Sequence, residues 1–323
     1  MLKFGYTDTH RKYHPYSFFD GNLTNFSWQH NLKIMKFFKI ITGFDYRYER
    51  TNTSYMNEKD LDEKAWFGEG IFSHKNLYIS LGMRYTNVQN VENKITYRFA
   101  GAYIFPTNTK LHISYGTGFR APSLYQLFDI TSGNPALKSE HSEGFDIGLT
   151  QWFLGKKLSF DITYFFNDID DLIDWVWTGP GWFDGHYFNV KEAYTQGVEL
   201  NFNLTPFSWW HLQLNYTWLN AKDLEKDSWL LKRPHHRFGF NATFSLFKRY
   251  FLGIYGNYIG HYLDYENKKV KSYFVVHAGL KCKINPHISF YIRVKNLFDR
   301  DYEETYGYNA LPLSAYGGAE ISW

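Results

Sequence analysis

Period-two alternation, held over long stretches, constrains this chain more than any other feature. Ile288, Phe290, Ile292 and Val294 fall on one face of an extended segment, and Ser289, Tyr291, Arg293 and Lys295 fall on the other. Val198, Leu200, Phe202 and Leu204 alternate with Glu199, Asn201 and Asn203. Phe238, Phe240, Ala242 and Phe244 alternate with Arg237, Gly239, Asn241 and Thr243. Successive side chains of a strand point to opposite faces, so each stretch is a strand with one apolar and one polar face. A soluble sandwich alternates too, with its apolar face inward. The distinguishing feature is a polar face kept through strands of about ten residues, the span a tilted strand needs to cross a bilayer.

Composition agrees. The 323 residues include 27 Tyr, 30 Phe and 11 Trp, far more rings than a packed core needs. Outer-membrane barrels place such residues in girdles at both interfaces. Mean hydropathy is −0.45 and no apolar run reaches about 18 residues, which excludes a transmembrane helix but not a barrel. A net charge of +3 is too small to argue for nucleic acid. The single cysteine, Cys282, rules out an internal disulfide framework. The first residues, Met1-Leu-Lys-Phe-Gly-Tyr, lack a charged leader followed by a long apolar region. They read as a strand, which is the expectation for a fragment or a misplaced start.

The pattern predicts an all-β, antiparallel transmembrane β-barrel wall of about sixteen strands in a single unit covering 1–323. The first strand is expected over Leu2 to Thr7, the third over Lys39 to Arg50 and the last over Ser314 to Trp323. Short connections such as Met35 to Phe38, His74 to Asn76 and Lys248 to Arg249 alternate with long ones. The long ones include Asp8 to Asn22, Thr51 to Glu63, Phe119 to Glu140 and Asn167 to Gly185. Short turns on one side and long loops on the other are the outer-membrane pattern, with the turns periplasmic.

One stretch adds a motif. A strand containing Leu111, Ile113 and Tyr115 ends in Phe119-Arg120-Ala121-Pro122, because proline cannot donate to a ladder. Gly133-Asn134-Pro135 is a turn signal, followed by Leu137 and by Glu140 at the start of a new strand. These two boxes, in this order and at this separation, resemble the TonB-dependent receptors of the Gram-negative outer membrane. Asn296-Leu297-Phe298-Asp299 with Tyr302, the strand box Tyr194-Thr195-Gln196-Gly197-Val198-Glu199, and the terminal aromatic Trp323 resemble the same family. The resemblance runs from about residue 23 onward.

It implies active uptake of a metal chelate, cobalamin or a ferric siderophore, at the outer membrane. The implied partners are outer-membrane lipid, the barrel-insertion machinery reading Trp323, the chelate ligand, and TonB acting only through a plug segment. The family barrel has about 22 strands and an N-terminal plug; the strands here correspond to its C-terminal ones, and no plug is recognised. An unpaired Leu2 to Thr7 edge either closes on Ala315 to Trp323 or stays open, and strands selected for a wider circumference favour an open edge. No cofactor is implied. No histidine lies within Ser123 to Gly133, where some haem receptors of the family carry one.

Candidate ligand contacts are aromatics of the long loops: Tyr125, Trp175, Trp177, Trp182, Phe183, Tyr187 and Tyr306. Girdle or loop packing accounts for each of them equally well. His141, His235, His236, Asp168, Asp170, Asp171 and Asp174 lack metal-ligand spacing, and the Asp run reads as a solvated loop. No catalytic motif appears, so a non-enzyme is expected. The alternatives are a passive porin of about sixteen strands and, behind it, a barrel enzyme.

Overall fold

A computed structural model describes residues 1–13, 17–179 and 184–322, with only the backbone at 190, 191 and 266. Trp182, Phe183 and Trp323 lie outside the described residues.

The first strands are β1 (Leu2–Tyr13), β2 (Ser17–Met35), β3 (Phe38–Thr53), β4 (Met56–His74), β5 (Leu77–Val88), β6 (Asn93–Ile104) and β7 (Thr109–Arg120). Helix α1 (Leu124–Phe128) precedes β8 (Glu140–Phe153), β9 (Leu158–Trp177), β10 (Gly185–Phe207) and β11 (Trp210–Asp223). Then come β12 (Ser228–Trp229), β13 (His236–Leu246), β14 (Tyr250–Ile259), β15 (Tyr262–Leu263) and β16 (Lys269–Val270). The chain ends with β17 (Tyr273–Lys283), β18 (Ile288–Lys295), β19 (Glu303–Thr305), β20 (Tyr308–Asn309) and β21 (Ser314–Ile321). The five two- or three-residue strands belong to loops, which leaves sixteen long ones among the described residues. Each long strand pairs antiparallel with the next.

Register turns the alternation into two continuous surfaces. Phe202 stands opposite Leu214 and Phe160, Phe240 opposite Leu214, and Ile292 opposite Leu280. Asn201 stands opposite Asn215 and Asp161, and Asn241 opposite Gln213. On the polar face Arg84 reaches Asp45 at 2.6 Å and Glu63 at 3.6 Å, tying three strands together. Among the described residues no packed core backs the apolar face: Leu81, Phe290 and Ile292 are 60%, 51% and 51% exposed. A sheet with this much apolar surface uncovered belongs in lipid, where all backbone groups pair within the sheet and the polar side chains turn to the lumen.

The strands are longer than the sequence suggests. β10 has 23 residues, about 75 Å of extended chain, far beyond a bilayer crossing. The expected loops Asp8 to Asn22, Thr51 to Glu63 and Asn167 to Gly185 are largely paired strand: Asp8 faces Asn22, Arg50 faces Asp60 and Asp168 faces Tyr194. Their polar composition marks the exit from lipid rather than the end of the ladder, since backbone pairing continues wherever both strands run on. The run Asp168, Asp170, Asp171 and Asp174 therefore lies in β9 and not in a loop.

Among the described residues β1 pairs only with β2 and β21 only with β18. Both are exposed on both faces, Phe4 at 74% and Ile321 at 67%.

Candidate functional site

The β7–β8 connection is the best-anchored part of the loop end. Ser123 caps α1 in a reciprocal box: its Oγ accepts from Gln126 N at 3.2 Å, and Gln126 Oε1 accepts from Ser123 N at 3.0 Å. The chain then folds back on itself. Gly133 N donates to Asp129 O at 2.8 Å, and a Cβ on Gly133 would lie 2.5 Å from that oxygen, so only glycine fits the approach. Asp129 Oδ1 accepts the backbone N–H and hydroxyl of both Thr131 and Ser132. Burial would raise its pKa, but those four donors outweigh burial and hold the carboxyl below its ordinary value.

The motif residues tie this loop to the wall. Arg120 makes a two-pronged contact with Glu140 across the β7–β8 register, and Glu140 Oε1 also accepts from Ile173 N of β9 at 2.8 Å. Asn134 Nδ2 donates to Tyr187 O of β10 at 2.9 Å, and its Oδ1 accepts from Ala136 N at 3.0 Å. Leu137 closes a small core with Leu127 and Ile173, against which Phe128 and Tyr187 pack. Ala121 and Pro122 lead the chain off β7, and Pro122 is fully buried.

The β9–β10 hairpin rises beside this core. Trp175 stands edge-on to Tyr187 at 5.2 Å and to Trp177 at 6.3 Å, and Tyr125 of α1 meets Tyr187 edge-on at 6.2 Å. Burial, then Tyr125 and Asp129, push the Tyr187 phenol up, keeping it a neutral donor. Trp175, Trp177, Tyr187 and Tyr306 line one cavity of about 710 Å³, together with Tyr265, Lys268, Thr305, Tyr308 and Asp264. That volume lies within the range of small-molecule sites. Tyr125 stands behind Tyr187 rather than in the cavity. Trp175, Trp177 and Tyr187, expected on loops, belong to β9 and β10 and so sit on paired backbone.

Asp264 organises the far wall of the cavity. It is 1% exposed and opens a single 3-10 turn at Tyr265–Asn267. Its Oδ1 accepts from Tyr265 N at 2.8 Å and its Oδ2 from Tyr306 N at 2.9 Å. Lys232 Nζ lies 3.5 Å from the carboxylate and 4.0 Å above the Tyr265 ring. Burial would raise this carboxyl; the Tyr306 and Tyr265 N–H groups and the Lys232 ammonium outweigh it and lower the pKa. One carboxylate thus joins the β11–β13, β14–β17 and β18–β21 loops. Tyr262 Oη reinforces the junction by donating to Glu304 O at 2.7 Å.

Asn296 does the same for the Asn-Leu-Phe-Asp box. It is 2% exposed; Nδ2 donates to Arg300 O and Leu311 O, and Oδ1 accepts from Arg300 N. That box shapes a loop and stands apart from the cavity. In the strand box, a Cβ on Gly197 would lie 2.6 Å from the Phe165 ring, which lies across it. The histidines are scattered: His141 pairs with Glu92 at 2.9 Å, His235 Nδ1 lies 3.0 Å from Leu219 O, and His236 Nδ1 lies 2.8 Å from Tyr216 Oη. Asp264, Tyr265, Lys268, Thr305 and Tyr308 were missed by sequence reasoning. An isolated Asp between Leu263 and Tyr265 carries no signal; the aromatic pairs Tyr262/Tyr265 and Tyr306/Tyr308 were the available hint.

Residues 2–297 match the family model described as "TonB dependent receptor-like, beta-barrel". The vitamin B12 transporter BtuB of Vibrio vulnificus is 27% identical over 285 residues, covering 86% of this chain and 45% of that protein. BtuB of Photobacterium profundum is 28% identical over 299 residues, covering 91% and 49%. The copper transporter OprC superposes with a TM-score of 0.79 at 15% identity, over 95% of this chain and 57% of that one. The siderophore receptor PirA from Acinetobacter baumannii does so at 0.78 and 16%, over 95% and 55%. The chain spans about half the length of the curated relatives it matches. Sixteen in-register strands with a lipid-facing surface, the two motif boxes joined by Arg120 and Glu140, and the match over 2–297 agree: this chain belongs to the TonB-dependent receptor family and forms β-barrel wall.

Proposed function

We propose that this chain is the C-terminal part of the wall of an outer-membrane receptor that takes up a metal chelate, cobalamin or a ferric siderophore. Energy would come from TonB acting on a plug segment of the whole receptor. The observation that carries the reading is the aromatic cavity at the loop end, into which Trp175, Trp177, Tyr187 and Tyr306 converge from β9, β10 and the β19–β20 turn. Flat ring faces on paired strands suit a large, rigid, partly apolar chelate, and Asp264 holds the opposing tyrosines in place. The BtuB relatives favour cobalamin within that class.

The test is equilibrium binding of cyanocobalamin and of a catecholate and a hydroxamate ferric siderophore to the full-length protein containing this wall. One chelate should bind with submicromolar affinity, and Trp175→Ala should weaken it by about tenfold, as loss of one ring contact in a buried site implies. Binding of none of them, with nonspecific conductance in planar bilayers, would instead support a passive porin of sixteen strands.

A further inference from the structure

The two ends of the wall differ in charge in a way the ligand cavity does not use. The seven connections at the turn end (36–37, 75–76, 105–108, 154–157, 208–209, 247–249 and 284–287) contain no Asp or Glu. Four of them carry Lys36, Lys75, the Lys156-Lys157 pair and the Lys248-Arg249 pair. All six residues are exposed. Among the described residues, none has a carboxylate within ion-pair distance. At the loop end cations and acids are mixed: Arg50, Lys64, Arg120 and Lys232 are each matched to an acid, while Arg11, Lys12 and Lys271 are not among the ion pairs of the described residues.

Backbone conformation adds a second observation. Lys75, Leu154, Lys156, Phe247 and Lys248 have φ of 51°, 50°, 69°, 51° and 56°. That left-handed region is costly for a side chain with a Cβ, and Gly, Asn or Asp occupy it more cheaply. A turn serving only to reverse the chain has no reason to place Leu, Phe and Lys there. Leu154 is 72% exposed and lies two residues before the Lys156-Lys157 pair; Phe247 is 86% exposed and directly precedes Lys248-Arg249. Lys156 Nζ also lies 6.0 Å from the Trp152 ring centroid.

We propose that the turn end is a docking surface for the anionic phosphate headgroups of the phospholipid leaflet it meets. Leu154 and Phe247 enter the acyl boundary, the neighbouring rings sit at headgroup depth, and the cations extend to phosphate. Each cation near an anionic leaflet is worth about fivefold in affinity, so six act together as a strong preference. The proposal rests on the wall lying in lipid and not on the identity of the ligand.

The experiment uses the purified full-length protein containing this wall in neutral detergent, offered phosphatidylglycerol and phosphatidylcholine in equal amounts. Lipid retained after washing is counted by mass spectrometry, with and without inorganic phosphate as competitor. Phosphatidylglycerol should be retained at least tenfold over phosphatidylcholine. That preference should vanish in a variant carrying Lys36→Gln, Lys75→Gln, Lys156→Gln, Lys157→Gln, Lys248→Gln and Arg249→Gln, and return when the same sites are all Arg. A loop-end control with Arg11→Gln, Lys12→Gln and Lys271→Gln should keep it. Equal retention of the two lipids by the unsubstituted protein overturns the proposal whether or not the variant folds. So does an equal loss in variant and control, or a preference abolished by millimolar phosphate, which would mark a free-anion site.

Discussion

In the wall, Phe202 meets Leu214 and Phe160 across the ladder, and none of the three belongs to the buried core of the described residues. At the loop end, Leu137 meets Leu127 and Ile173 in a closed cluster, and buried Asp129, Asp264 and Asn296 each hold several backbone groups. One region takes its apolar environment from lipid and its order from a regular ladder. The other builds a miniature core and replaces missing ladder partners with side-chain acceptors. The difference teaches where each kind of substitution should hurt: charge on the apolar face in the wall, loss of a buried acceptor or methyl group at the loop end.

The largest effect expected is Phe202→Arg. An Arg on the lipid face near the bilayer midplane costs about 2–4 kcal/mol, whereas Asn201→Arg, one position along and facing the lumen, should cost little. Urea titrations of the protein folded in vesicles measure both. Equal destabilisation by the two variants would break the assignment of faces and, with it, the contrast between the regions.

Leu137→Ala comes next. Removing a buried Leu costs about 2–5 kcal/mol in a full core, and a three-residue cluster should sit at the low end. The loss should be confined to the loop end: faster proteolytic nicking within 121–139 with an unchanged urea midpoint for the wall. A shifted wall midpoint would mean that the miniature core and the ladder unfold as one unit.

Asp264→Asn should act more weakly on stability but more directly on the cavity proposed to take the ligand. It leaves a polar group in place yet removes the charge that balances Lys232, a loss of about 1–3 kcal/mol for a buried charged hydrogen-bond partner, reduced because Lys232 is partly exposed. Tyr265 and Tyr306 lose their shared anchor. Chelate affinity should fall several-fold with no change in vesicle insertion, and unaltered affinity would sharpen the picture by placing ligand contacts on the β9–β10 side alone.

Most of the wall was legible in the sequence because period two is a property of each strand by itself. Leu200 and Asn201 declare their faces without reference to any partner. The short turns were legible for the same reason. Asn134 and Glu140 were visible only as a resemblance. What they do depends on Tyr187 and Ile173, which lie 53 and 33 residues away and come near only once β9 and β10 have risen past the bilayer. The extensions themselves were misread at Asp168, Asp170, Asp171 and Asp174, since polar residues outside lipid look alike in a loop and in a two-faced wet strand. Asp264 was invisible: its partners Lys232 and Tyr306 come from two other loops.

The smallest effect expected is a pH response that separates the two regions without any substitution. Asp129 and Asp264 are held below the ordinary carboxylate value in the folded loops and return to it when the loops open. Their ionised forms therefore stabilise the closed loops above that ordinary value. The contribution is lost as pH falls through the lowered folded values, from about pH 4 downward. The backbone N–H groups of Ser132 and Tyr306 report it directly, because each donates to one of these carboxylates. Hydrogen-exchange protection factors for those two amides should drop on acidification, while amides of the β13–β14 ladder keep theirs. In Asp264→Asn, which has no proton to gain, the Tyr306 amide should be poorly protected at neutral pH and show no further acid response. Tyr306 protection that is the same at pH 3 and pH 7 in the unsubstituted protein would refute the role given to Asp264, and with it the view that buried acids replace ladder partners at the loop end.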